Sequence, residues 1–257
     1  MKKIILSALL FGALFSLHAQ DAESIVRASR NRIKADTVST RSRMVIQAKD
    51  GSTTERLIDN YSKDGPNGAR SVIVFQQPAS VAGSRFLTME NKNAPDDRWI
   101  FMPNLGRVRR IASSEGSGSF MGTDFSFDDI SSTSRNADLD THTLLREENL
   151  GITACYVIQS VPKDSAYQYS KMVQWIAKDT SIIMKIELYD KKNTLIKTVE
   201  MSGIKTIQDR PTVTVTKMTT LAAGTSTTIT NEIVKYNDPI PEGVFTTAYL
   251  ETGKVGR

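Results

Sequence analysis

Apolar and polar residues alternate with a period of two along most of the chain. Clusters of Gly, Pro, Asn and Asp interrupt the alternation roughly every ten residues, as in a chain of antiparallel strands joined by tight turns. Strands are predicted over 43–48, 53–61, 70–76, 85–89, 98–102 and 107–111. A second set follows over 143–148, 154–161, 171–177, 182–190, 195–207, 212–221 and 226–236. The stretches Lys49-Asp50-Gly51-Ser52 and Lys63-Asp64-Gly65-Pro66-Asn67-Gly68 have the residue types that turns require. One segment has helical spacing instead. Ala22, Ile25, Val26, Ser29 and Ile33 recur on one side and Arg27, Arg30, Arg32 and Lys34 on the other, behind Asp21 as a cap. That predicts an amphipathic helix over 22–35, packed on a sheet.

About a dozen strands in one continuous sheet should curl. A curled sheet has a concave face, which either fills with side chains or holds a ligand; periodicity alone leaves both open. In the strand over 98–102, Trp99 and Phe101 share one face and Ile100 and Met102 the other. Both faces are apolar, so both should be covered. The longest segment without strand pattern runs from Ala112 to Arg135, yet it holds Phe120, Met121, Phe125 and Phe127. Loops of this length are commonly functional or disordered, and the aromatic content argues against disorder.

Composition adds a compartment. Lys2 and Lys3 precede an apolar run from Ile4 to Leu17, and Leu17-His18-Ala19 ends it with a small residue. This is the layout of a cleaved secretory signal peptide over 1–19, and the run is too short to span a bilayer comfortably. The expected mature product is a single domain over 20–257 in the periplasm. The only cysteine is Cys155, in a strand pattern, so stability has to come from a core and not from disulfides. No cysteine stands at the expected cut to carry a lipid. The formal charge is +5, and two of those charges are Lys2 and Lys3. The remainder is too small to point to nucleic acid.

Catalytic groups are scarce. Beyond the leader the only histidine is His142, in Asp140-Thr141-His142-Thr143, which reads as an exposed turn entering a strand. There is no Gly-x-Ser-x-Gly elbow or Walker-type loop, and one Cys with one His makes no zinc cluster. Asp124, Asp128 and Asp129 lack the spacing of a calcium loop. The glycines at 116, 118 and 122 lack the strand–loop–helix frame of a phosphate loop. The expectation is a protein that binds, with no enzymatic activity, cofactor or metal.

Three blocks then stand out: Arg98-Trp99-Ile100-Phe101-Met102-Pro103, Arg107-Val108-Arg109-Arg110-Ile111, and Gly118-Ser119-Phe120-Met121-Gly122-Thr123-Asp124-Phe125-Ser126-Phe127-Asp128-Asp129. Together with the closing Pro239-Ile240-Pro241-Glu242-Gly243-Val244-Phe245-Thr246, they resemble the outer-membrane lipoprotein-sorting proteins. These are a branch of the superfamily of periplasmic lipoprotein carriers similar to LolA and LolB. The resemblance implies a mainly β fold, an unclosed antiparallel barrel of about eleven strands, with the N-terminal helix and a loop or helical segment covering its concave face. It implies an apolar cleft for the acyl chains of a lipoprotein or lipid, an inner-membrane exporter that loads it, an outer-membrane acceptor that unloads it, and only transient membrane contact.

Phe86, Trp99, Phe101, Phe120, Met121, Phe125, Phe127 and Trp175 are the expected cleft residues. Arg107, Arg109 and Arg110 are expected either to face lipid headgroups or a partner, or to be a solvated strand edge. A sensor or adhesion-type binding module on the same fold, with no transport role, is the alternative. An outer-membrane barrel fits less well, because the basic strand and the N-terminal helix lack a lipid-facing apolar band.

Overall fold

A computed structural model describes residues 22–91, 94–131 and 136–255. The expected signal peptide lies outside them. The elements in chain order are a helix α1 over 22–30, then strands β1 (Thr37–Gln47), β2 (Thr53–Lys63), β3 (Arg70–Gln77), β4 (Arg85–Met89), β5 (Asp97–Met102) and β6 (Arg107–Ile111). A short helix α2 (Phe127–Ser131) follows, then β7 (Asp140–Leu150), β8 (Thr153–Pro162), β9 (Lys171–Ala177), β10 (Ile183–Tyr189) and β11 (Leu195–Ser202). The chain closes with β12 (Lys205–Ile207), β13 (Arg210–Thr212), β14 (Val215–Thr220), β15 (Thr225–Tyr236) and a helix α3 (Thr247–Thr252). The fold is mainly β and antiparallel, as expected.

The described residues form two compact units, one drawn from 22–33 and 136–201 and a larger one from 34–131 and 202–255. The larger unit holds an open run of strands in the order β6-β5-β4-β3-β2-β1-β15-β14. Its alternation sorts side chains onto two faces. Cross-strand register lines up Ile73, Phe86 and Ile100 on one face, and Val72, Leu87 and Trp99 on the other. Both faces are covered, as the pattern over 98–102 requires. The first is packed by Phe120, Met121, Phe127 and Ile130 from the segment after β6, here called the lid. The second is packed by Ile240, Val244, Phe245 and Leu250 from the C-terminal tail.

The tail is tied down by charge as well as by burial. Glu242 pairs with Lys63 and with Arg70, the latter at 2.8 Å, and the Arg70 guanidinium lies 5.2 Å from the Phe245 ring centroid. The hydrogen bonds from Lys63 and Arg70 hold the Glu242 pKa below its usual value. A lowered folded pKa means the stabilisation is present above the unfolded value, near pH 4.3, and is lost as pH falls through the folded one. The protection factors of the amides of residues 244–250 are therefore expected to decrease below about pH 4, ahead of those of the lid; a tail still fully protected there would contradict this.

The smaller unit holds the strand order β11-β10-β9-β8-β7, with α1 on one face. Ala22 and Val26 pack there against Ile158, Ile176 and Ile183. The opposite face holds Cys155, Val157, Val173 and Trp175.

Three expectations shift. The helix stops at residue 30 rather than 35, because the β-branched run from Thr37 draws the chain into β1 early. The strand predicted over 195–207 breaks at Gly203, whose φ is +64° and where a Cβ would come within 2.6 Å of Thr214 Oγ1. The small β12–β13 hairpin results, and with it more strands than the eleven expected.

Candidate functional site

The lid is a closed hairpin. The Phe120 N–H donates to the Phe125 carbonyl at 2.8 Å, and the Phe127 N–H to the Gly118 carbonyl at 3.0 Å. Met121 and Gly122 turn the chain with φ of +52° and +74°. Ser126 and Asp129 then start α2 reciprocally: the Ser126 N–H donates to Asp129 Oδ2 and the Asp129 N–H to Ser126 Oγ. This geometry drives Phe120, 0% exposed, into the sheet. Its ring centroid lies 5.1 Å from Phe86, 5.7 Å from Phe127 and 5.9 Å from Phe75. Aromatic clusters at such separations add to the burial of area.

Polar contacts fasten the lid at three places. Asp124 accepts hydrogen bonds from the hydroxyls of Thr225 and Thr227 on β15. Arg56 on β2 donates to the Met121 carbonyl at 2.7 Å while its guanidinium lies over Phe75. Burial pulls the Arg56 pKa down. Arg98 on β5 donates to Asp128 Oδ1 at 2.6 Å, with both side chains largely buried. Asp124 and Asp128 thus fasten the lid, and Asp129 starts α2. Among the described residues no group of three or more His, Cys, Asp or Glu could hold one. Gly116 makes room for the Arg98–Asp128 pair, since a Cβ there would sit 2.2 Å from Asp128 Oδ1. Gly116→Ala is therefore expected to displace Asp128 and lower stability by about 1–3 kcal/mol, read as a shift in urea midpoint; an unchanged midpoint would remove Gly116 from this role.

Of the expected cleft residues, Phe86, Phe120, Met121 and Phe127 come together on the lid face. Phe125 is buried and closes the lid hairpin through its carbonyl. Trp99 and Phe101 lie on the tail face, where the Arg85 guanidinium stands 5.7 Å from the Phe101 ring. Trp175 lies in the smaller unit, with its indole N–H donated to Glu148. Ile73, Phe75, Ile100 and Met44 also line the lid face and were not among the candidates; their strand alternation was the available signal. Arg109 pairs with Glu115 and Arg110 with Asp97, which lowers the pKa of both carboxylates, while Arg107 is exposed.

The smaller unit has a cavity of about 270 Å³ beside α1, lined by Ile25, Ala28, Tyr156, Ile176, Lys178 and Ser181 among others. None of the expected cleft residues lines it. His142 corrects its expected exposure: it is only 4% exposed, inside β7. Its Nδ1 lies 2.8 Å from Ser160 Oγ and its Nε2 lies 3.0 Å from the Ala137 carbonyl. Gln174 Nε2 donates to the same Ser160 oxygen, and the Ala137 carbonyl can only accept, so Nε2 carries a proton donated to Ala137. A Ser–His contact of this length can activate a nucleophile, but here Ser160 is 0% exposed. No helix among the described residues is long and apolar enough to cross a membrane.

A family model described as that of an uncharacterized protein matches residues 67–252. A search of curated proteins finds no match. Among solved structures, a candidate outer membrane lipoprotein-sorting protein domain from Vibrio parahaemolyticus superposes with a TM-score of 0.86 at 26% identity, over 91% of this chain and 99% of that one. A DUF1329 family protein from Desulfovibrio piger superposes equally well at 29% identity, over 91% and 99%. A LolA superfamily protein from Nitrosomonas europaea shares the fold, with a TM-score of 0.71 at 23% identity over 89% and 98%. With more than half of its length matched by the model, the chain belongs to that family of uncharacterized proteins, and it is built on a LolA-like fold.

Proposed function

We propose that this chain is a periplasmic carrier. It takes up the acyl chains of a lipoprotein or lipid against the lid face of β1–β5 and carries them toward the outer membrane. It acts by binding alone, loaded by an inner-membrane exporter and unloaded by an outer-membrane acceptor. The observation that supports this most is the lid itself. An apolar sheet face is covered by a segment whose ties to the sheet are side-chain contacts and not strand pairing. Such a cover can lift without unzipping the ladder, and its aromatic rings leave an apolar bed behind. Each acyl CH₂ buried there gains about 0.8 kcal/mol.

The test is native mass spectrometry of the protein purified from periplasm without detergent, followed by lipid extraction. Co-purified acyl species are expected, lost in Phe127→Asp and kept in Trp99→Ser, which alters only the tail face. A folded protein that carries no lipid and takes up neither lipopeptide nor phospholipid would sink the proposal.

A further inference from the structure

The lid face carries polar side chains beside its apolar centre. Below the row of Ile73, Phe86 and Ile100, the next cross-strand row is Ser71, Thr88 and Arg98. Thr88 and Ser131 are buried and their hydroxyls lie 3.3 Å apart. The Arg98 side chain is only 11% exposed. Its Nη1 is satisfied by Asp128, but its Nε is buried without a hydrogen-bond partner among the described residues. Asp96 stands 3.8 Å from the guanidinium, too far for a hydrogen bond.

Among the groups the lid presents to the sheet, the phenyl rings of Phe120 and Phe127 are followed by the carboxylate of Asp128 on Arg98. That is the order of an apolar tail and an anionic head. A ligand that lifts the lid also removes Asp128, and a neutral ligand would leave Arg98 desolvated with no counter-charge, which selects against it. We infer that the ligand is an anionic amphiphile whose carboxylate or phosphate takes the place of Asp128 on Arg98 while its acyl chain takes the place of Phe120 and Phe127. This deepens the carrier reading and rests on it. The protein's own lid is the stand-in for the ligand, and charge at the head decides which amphiphile displaces it.

The experiment is displacement of the fluorescent probe N-phenylnaphthylamine from the purified protein by palmitate and by hexadecanol, which share a chain and differ in head charge. Palmitate is expected to displace at about tenfold lower concentration or better. In Arg98→Gln that preference should shrink to within about twofold, because hexadecanol no longer orphans a buried guanidinium and displaces at lower concentration, and in Asp128→Asn palmitate should bind more tightly. Equal displacement by both in the wild type overturns the inference while leaving the carrier reading intact. Should Arg98→Gln fail to fold, an Asp128→Asn protein with unaltered palmitate affinity overturns it instead. Displacement by inorganic phosphate alone would make this a plain anion site and also overturn it. No probe binding and no displacement by either lipid defeats the carrier reading first, and this inference with it.

Discussion

Phe120→Ala is expected to lower folding stability by about 3–5 kcal/mol. The ring is fully buried and touches Phe75, Phe86 and Phe127, so truncation leaves a void between two packed layers. The lid should stay in place, because Asp124, Arg56 and Arg98 hold it by contacts that the truncation does not touch. Urea denaturation reads the loss as a lower midpoint with an unchanged slope. A loss below about 1 kcal/mol would mean that Phe120 is not packed as described. A second consequence follows if acyl chains occupy this face. The void is then a partly opened binding site, and stability lost on truncation should return as a saturating function of added fatty acid, more in the variant than in the wild type. Recovery that is equal in both would place the acyl site elsewhere.

The strands were legible because alternation is a local property. Trp99 with Phe101, and Ile100 with Met102, share faces in the structure as their spacing requires. What alternation cannot carry is which face of one strand continues which face of the next. Phe86 was grouped with Trp99 as cleft wall, yet register sets Phe86 beside Ile100, on the face away from Trp99. That parity is decided by the length of the connection between Met89 and Asp97, whose sequence has no periodicity to read. The covers were equally hidden. The lid and the tail are both short apolar segments, and only their polar anchors, Asp124 to Thr227 and Glu242 to Arg70, assign each to its face across more than a hundred residues of chain. His142 misled for a related reason. A polar residue between two threonines looks solvated until Ser160 and the Ala137 carbonyl arrive from other elements to satisfy it. Gly203 was the exception, a local signal for a strand break that the surrounding β-formers masked.

Removing one partner of the Arg98–Asp128 pair should cost more than removing both. Arg98→Met leaves Asp128 desolvated without a cation, and Asp128→Leu leaves Arg98 with Asp96 only at 3.8 Å; each is expected to lose about 3 kcal/mol. The double variant replaces the pair with apolar groups of similar size and should regain most of that loss, since an ion pair taken from water returns little net stability. The measurement is a double-mutant cycle by urea denaturation, with a coupling energy of about 2 kcal/mol or more expected. Additive losses would mean that the two side chains are solvated enough to act independently, and the lid would then be held by packing and by its Asp124 and Arg56 contacts. A strong coupling has a functional reading as well. A pair that is neutral for stability when replaced whole, and costly when broken, is poorly suited to holding a fold together but well suited to choosing what may break it. An apolar amphiphile lifting the lid meets the full cost of the orphaned guanidinium, whereas one with an anionic head meets almost none. The double variant, stable and without the charge, should therefore take neutral and anionic lipids alike.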